Sequence, residues 1–113
     1  MLNYSVSEID GSTMLVLSGT LAADGTEAFR SIARQIAERS SIIVNMENVA
    51  MVTSAGLEAL VDVSVYAREH NKRVIILWAD RDLVQTAEIT GVYRHLIFAQ
   101  SVEEAKMKLK YFT

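Results

Sequence analysis

The chain contains no cysteine and no proline, and only 7% of its 113 residues are aromatic. Without a thiol it can form no disulfide, thiolate zinc site, iron–sulfur cluster or cysteine nucleophile. Its two histidines, His70 and His95, do not stand at metal-ligand spacings such as HxxxH or HExxH. The composition therefore predicts a protein without a metal site, and no motif indicates another cofactor.

Neither sign of charge predominates, since the chain has 11 Lys and Arg against 14 Asp and Glu and a net charge of −3. The one basic cluster, Lys106, Lys108 and Lys110, is typical of a solvated helix face, whereas nucleic-acid binders line a surface with positive charge. No segment approaches the roughly 20 apolar residues of a membrane span, and the N-terminus lacks the features of a signal peptide. We therefore expect a cytoplasmic protein that neither binds nucleic acid nor inserts into a membrane.

Hydrophobic residues make up 50% of the chain, and no linker, repeat or low-complexity stretch divides it. We therefore expect a single domain over residues 1–113. Leu2, Tyr4 and Val6 alternate with polar residues, as in a half-buried strand. Asp10-Gly11 then predicts a tight turn before a second strand at residues 14–17, which makes an N-terminal antiparallel hairpin.

Strands and helices alternate after this hairpin. Short apolar runs at residues 41–46, 74–78 and 96–98 are typical of buried strands, and residues 47–53 are expected to form a connecting loop. Amphipathic segments predict helices between these strands and at the C-terminus. This order predicts an α/β fold with a mixed four- to five-stranded sheet and about four helices.

Polar side chains that can accept hydrogen bonds from free helix N–H groups stand at each predicted helix start. For the first and last helices, a glutamate three residues later also matches the capping-box spacing. The predicted caps, in chain order, are Asp24, Ser54, Asp80 or Asp82, and Ser101. At the other end of the third helix, Gly91 is expected to adopt the left-handed conformation that terminates helices.

The segment with the most chemical content is VNMENVAMVTSAGLEAL, residues 44–60. It joins a buried strand to a helix, and position alone favours Ser54 as a helix cap and Thr53 as a packing residue at the loop edge. The same position also suits a phosphate. Free N–H groups and the positive end of a helix dipole stabilise a dianion there without a basic side chain.

A serine hydrolase is a weaker interpretation of this segment. Thr53-Ser54-Ala55-Gly56 is similar to part of the nucleophile elbow GxSxG, but Val52 occupies the position of the first glycine. Such an enzyme would need a base beside the Ser54 hydroxyl, and His95 is the only candidate. We therefore do not expect an enzyme.

Two blocks of the sequence resemble the STAS domain family, the fold of bacterial anti-sigma factor antagonists. MENVAMVTSAGLEAL is similar to the family signature, commonly a hydrophobic pair, Asp or Thr, Ser, Ser or Ala, Gly, Leu. ITGVYRHL at residues 89–96 and SVEEA at 101–105 are similar to the C-terminal helix-turn-strand-helix of the family. The likeness covers nearly the whole chain and implies a single STAS domain.

The resemblance implies a partner-switching protein. In that family the serine matching Ser54 is phosphorylated by a serine-kinase anti-sigma factor with a histidine-kinase-like ATPase fold, and a PP2C-type phosphatase reverses the modification. The unphosphorylated form binds the kinase and frees the sigma factor. Thr53 is the second choice for the phosphorylated hydroxyl. The partner-binding residues implied are Thr53, Ser54, Ala55, Gly56, Leu57, Glu58 and Asp24.

The chain departs from the family pattern in two places. Thr53 stands where many kinase-regulated members have a carboxylate, and Gly19-Thr20-Leu21-Ala22 lacks the two carboxylates of the frequent Gly-Glu-Leu-Asp. These differences favour the alternative of a constitutive scaffold, similar to the STAS subunits of ABC-type lipid transport complexes. Both functions remain open from the sequence.

Overall fold

The structure, a computed structural model, describes residues 1–112. Five strands and four helices follow one another along the chain, with a short 3-10 helix before the last strand. In chain order they are β1 (Leu2–Ile9), β2 (Ser12–Leu21), α1 (Ala23–Ala37), β3 (Ile42–Val52), α2 (Ser54–Glu69), β4 (Val74–Leu77), α3 (Arg81–Thr90), the 3-10 helix Val92–His95, β5 (Phe98–Ala99) and α4 (Val102–Phe112).

The five strands form one sheet in the order β1-β2-β3-β4-β5. β1 pairs antiparallel with β2, and every later pair is parallel. The hairpin turns at Asp10 and Gly11, whose φ values of 49° and 83° lie in the left-handed region. The predicted α/β fold, with its mixed sheet, hairpin and four helices, is confirmed.

Successive residues of the central strands point to opposite faces of the sheet, and both faces are covered. On β3, Ile42 and Val44 pack on the face that carries α1, α2 and α3. Ile43, between them, packs on the other face with Ala105 and Leu109 of α4. The sheet is therefore the middle layer of three, and α2 lies on its more heavily covered face.

β3 is longer than the sequence indicates. The expected loop at residues 47–53 is wrong, because the strand continues to Val52 and pairs with the end of β2, from Ser18↔Asn48 to Leu21↔Val52. β2 is itself long, so its backbone offers hydrogen-bond partners that override the low strand propensity of Glu47 and Asn48. A single residue, Thr53, then separates β3 from α2.

The helix caps agree only partly with prediction. Asp24 is not a cap, because α1 begins one residue earlier, at Ala23, and places this carboxylate in its first turn. There it still interacts favourably with the helix dipole. Asp80 caps α3 by accepting from the Leu83 N–H at 2.8 Å, and Gly91 ends that helix with φ 81°. Ser101 accepts from the Glu104 N–H at 3.0 Å, as predicted for α4.

Gly56 allows the first turn of α2 to lie directly against the ends of β2 and β3. A Cβ atom at this position would overlap the Leu21 carbonyl oxygen and would lie 3.0 Å from Cγ1 of Val52. The oxygen belongs to the backbone and cannot rotate away. The start of α2 is therefore held at a distance from the sheet that only glycine permits.

Gly56→Ala should lower the free energy of unfolding by about 1–3 kcal/mol, because the helix or the strand must move to make room. At an open helical position the same change would instead stabilise by about 1 kcal/mol. Urea unfolding measures whether the free energy of unfolding falls or rises. Ala28→Gly, at an exposed position of α1, gives the ordinary propensity difference as a control. A stabilised Gly56→Ala protein would contradict the close contact.

Candidate functional site

The N-terminus of α2 is capped by Thr53. Its Oγ1 accepts from the Gly56 N–H at 3.3 Å, and its own N–H donates to the Leu21 carbonyl oxygen at 3.0 Å. The same hydroxyl lies 3.5 Å from the Leu21 oxygen as a weak donor. The expectation that Ser54 caps the helix and that Thr53 only packs is therefore wrong, because β3 reaches Val52 and leaves Thr53 as the residue with extended backbone before the helix.

Ser54 is the first residue of α2, and its side chain is exposed. Since Thr53 performs the capping, the Ser54 hydroxyl has no structural hydrogen bond to give up. Within residues 1–112, no group donates a hydrogen bond to the Ser54 hydroxyl or accepts one from it. The structure thus presents a free hydroxyl at the end of a helix.

The backbone at this end of α2 favours an anion. The first N–H groups of a helix have no carbonyl one turn earlier, and Thr53 satisfies only that of Gly56. The N–H groups of Ser54 and Ala55 remain available, and the helix dipole adds the equivalent of about +0.5 elementary charge. A negatively charged group on Ser54 would therefore be stabilised by the backbone alone.

Two grooves meet at Ser54, and residues of both α2 and α3 line them. The first has a volume of about 470 Å³ and an apolar floor that includes Leu57, Val61 and Val92. The second, of about 640 Å³, runs towards Met51, whose side chain is 56% exposed. We call the two together the α2–α3 groove.

Carboxylates surround the α2–α3 groove. Glu58 and Asp62 line it from α2, while Asp80 and Asp82 line it from the start of α3. Among the described residues, neither part of the groove is lined by a lysine or an arginine. The contribution of α3 leaves no signal in the sequence, because only the crossover through β4 brings these distant residues beside Ser54.

The predicted partner-binding residues on α2 differ in their exposure to solvent. Ser54 and Glu58 are exposed, and Ala55 is half-buried beside them. Gly56 and Leu57 are buried and support the surface from beneath. These two residues therefore act chiefly through the position of the helix.

Asp24 lies at the same end of the sheet as Ser54. It stands three residues after Leu21, whose carbonyl oxygen accepts from Thr53, and its side chain is exposed. The starts of α1 and α2 are thus joined through the end of β2. Binding of a partner by Asp24 stays a prediction.

His95 lies far from Ser54. Its Nδ1 atom is 3.4 Å from a guanidinium nitrogen of Arg68, near the C-terminal end of α2. Ser54 and Arg68 are 14 positions apart in the helix, which corresponds to roughly 20 Å. The hydrolase hypothesis with His95 as the base is therefore wrong.

Within residues 1–112, His, Asp and Glu side chains nowhere gather in a group of three that could hold a metal ion. Over the same residues, no helix combines the length and the apolar character needed to cross a membrane.

Solved structures with this fold include several anti-sigma factor antagonists. One from Mycobacterium paratuberculosis is 12% identical, with a TM-score of 0.83 over 97% of this chain and 95% of that chain. The antagonist SpoIIAA in its unphosphorylated form is 17% identical, with a TM-score of 0.77 over 96% of this chain and 97% of that chain. SpoIIAA of Bacillus has also been solved in a phosphorylated form, with a TM-score of 0.71, 17% identity and coverage of 94% of this chain and 98% of that chain.

The same fold occurs inside a much larger protein. The murine anion transporter Slc26a9 is 16% identical, with a TM-score of 0.76 over 93% of this chain but only 18% of the transporter chain. These identities are low, so the likenesses concern the fold. No curated protein sequence matches the chain significantly.

A family model provides the direct assignment. The model of the STAS domain matches residues 3–105, and this interval runs from β1 into α4. The matched part includes the hairpin, the parallel strands and the Ser54 segment. The chain belongs to the STAS domain family.

Proposed function

We propose that this chain is an anti-sigma factor antagonist that switches partners through phosphorylation of Ser54. Unphosphorylated, it binds a serine-kinase anti-sigma factor through the α2–α3 groove, and a PP2C-type phosphatase restores this form. The observation that carries the proposal is the free, exposed hydroxyl of Ser54 beside the groove. The SpoIIAA structures, of which one is phosphorylated and one is not, support it by similarity of fold.

Phosphorylation would change the surface without disturbing the fold. It adds about −1.5 to −2 charges. The dianion can be held by the free N–H groups at the start of α2, so the folded chain tolerates it. At an interface, however, the phosphate must lose water, and Glu58, Asp80 and Asp82 line the grooves that meet at Ser54. Binding is therefore weakened while the domain stays intact.

The hydrogen bonds of Thr53 explain why we assign the modification to Ser54. The Thr53 hydroxyl is half-buried and engaged by the Gly56 N–H and the Leu21 oxygen. A kinase acting on it would have to break the helix cap. Ser54, one residue later, needs no such rearrangement.

Ser54→Glu should weaken binding to the proposed serine-kinase anti-sigma factor by about a hundredfold, because an uncompensated charge at an interface costs about 3 kcal/mol. Ser54→Ala should bind like the unmodified protein and should resist release by ATP. Isothermal titration calorimetry measures both affinities. Ser31→Glu, the same change at an exposed position of α1, is the matched control and should leave binding unchanged.

Equal binding of the unmodified protein, Ser54→Ala and Ser54→Glu would contradict the switch. If such binding were to an ATPase of a transport complex, it would identify the constitutive scaffold instead. The occurrence of this fold within the Slc26a9 transporter chain is the observation that favours this alternative.

Mass spectrometry of the protein isolated from its own cells should place the phosphate on Ser54. Thr53→Ala should keep the Ser54 phosphate but lower the free energy of unfolding by about 1 kcal/mol, the usual cost of losing a cap. Thr53→Ser keeps the capping oxygen and should retain full stability. A phosphate found only on Thr53 would overturn the assignment.

A further inference from the structure

A second cavity lies at the other end of α2. It has a volume of about 300 Å³, and its polar lining residues are Ser64, Arg68, Arg73, Arg94 and His95. Ser64 is ten positions after Ser54 in the helix, or about 15 Å along its axis. We call this the basic cavity, and none of its lining residues lines the α2–α3 groove.

Ser64 is the unusual member of the basic cavity. Its side chain is 4% exposed, and among residues 1–112 its Oγ is the one buried side-chain N or O atom without a hydrogen-bond partner. A buried hydroxyl left in this state costs about 1–3 kcal/mol. Serines in helices often satisfy the hydroxyl by bonding to the carbonyl one turn earlier. Here the hydroxyl has no such partner, and Ser64 is one of the residues that line the cavity.

The charge of the basic cavity is not neutralised by the protein. Within the described residues, ion pairs are formed by Arg30 and Lys106. None is formed by Arg68, Arg73 or Arg94 in that part of the chain. No carboxylate lines the cavity in that part of the chain. The C-terminal end of the α2 dipole supplies the equivalent of only about −0.5 charge. Three guanidinium groups therefore give the cavity a net positive charge.

The polar groups of the basic cavity are chiefly hydrogen-bond donors. A guanidinium nitrogen of Arg68 lies 3.4 Å from Nδ1 of His95, and because guanidinium groups only donate, Nδ1 is the acceptor. Arg73 donates one N–H to the Lys72 carbonyl oxygen at 2.8 Å and keeps others free. Such a set of donors is complementary to an oxyanion.

We propose that the basic cavity binds the phosphate group of a small molecule. Arginines pair with phosphate oxygens through two parallel hydrogen bonds, and the Ser64 hydroxyl would supply a buried donor behind them. A volume near 300 Å³ lies at the lower end of ligand pockets, enough for a phosphate with a small organic part. This site is separate from Ser54 and does not rest on the proposed switch.

The test is an NMR titration of the intact chain with inorganic phosphate and, separately, with adenosine monophosphate. Saturable shifts are expected at the amides of Ser64, Arg68, Arg94 and His95, and not at Ser54. Tighter binding of the nucleotide would identify an organic phosphate as the ligand, and equal binding would identify free phosphate. Sodium chloride at matched ionic strength is the solvent control. Shifts that it reproduces in full, or that do not saturate, would overturn the proposal.

Variants locate the binding within the cavity. Arg68→Gln and Arg94→Gln, both at exposed positions, should each weaken binding about tenfold, the effect of losing one charge-assisted hydrogen bond. Arg39→Gln, an equal change of charge at an exposed position outside the cavity, should have no such effect. An equal loss in all three variants would show screening of the whole surface and would overturn the site.

Ser64→Ala separates a binding role from a structural one. Removing a hydroxyl without a partner should not lower the melting temperature, whereas affinity for phosphate should fall about fivefold, as expected for one neutral hydrogen bond. Unchanged affinity in Ser64→Ala would remove Ser64 from the site. The melting curve of the same sample verifies that the variant is folded.

Discussion

The carbonyl oxygen of Leu21 holds together the end of the domain that carries Ser54. It terminates β2, accepts from the Thr53 N–H at 3.0 Å and lies against Gly56, where a Cβ atom would overlap it. Three elements, β2, β3 and α2, therefore meet at one backbone atom. Because the contact is between backbone groups, it leaves the neighbouring Ser54 side chain uninvolved and sets its position.

This arrangement separates the support of the site from its chemistry. Thr53 satisfies an N–H group of the helix, and Gly56 and Leu57 hold the first turn on the sheet. Ser54 contributes a hydroxyl that the fold does not use. The proposed modification of that hydroxyl would therefore leave the hydrogen bonds of the fold in place. Thr53, which stands where the family pattern often has a carboxylate, caps the helix with its hydroxyl oxygen.

The two cavities along α2 carry charges of opposite sign. Carboxylates of Glu58, Asp62, Asp80 and Asp82 line the groove near its N-terminal end, where the partial charge is positive. Arg68, Arg73 and Arg94 lie near its C-terminal end, where the partial charge is negative. Of these side chains only that of Arg68 lies in an end turn of α2, where the dipole stabilises a cation by about 0.3–1 kcal/mol. The two surfaces differ in sign, so they suit ligands of opposite charge.

Periodicity and turn chemistry in the sequence were sufficient to predict the hairpin, the alternating strands and helices, the cap at Ser101 and the end of α3 at Gly91. These features depend on residues close in the chain, and the apolar runs of β3 and β4 indicate that these strands are buried. The SAGL segment was sufficient to draw attention to Ser54 as the candidate site. Only the tertiary structure decided that β3 continues through Glu47 and Asn48, because its pairing with β2 outweighs local propensity. That extra length moved the cap from Ser54 to Thr53. The tertiary structure also brought Asp80 and Asp82 beside Ser54, and Arg94 beside Ser64, since contacts between distant segments leave no periodic signal in the chain.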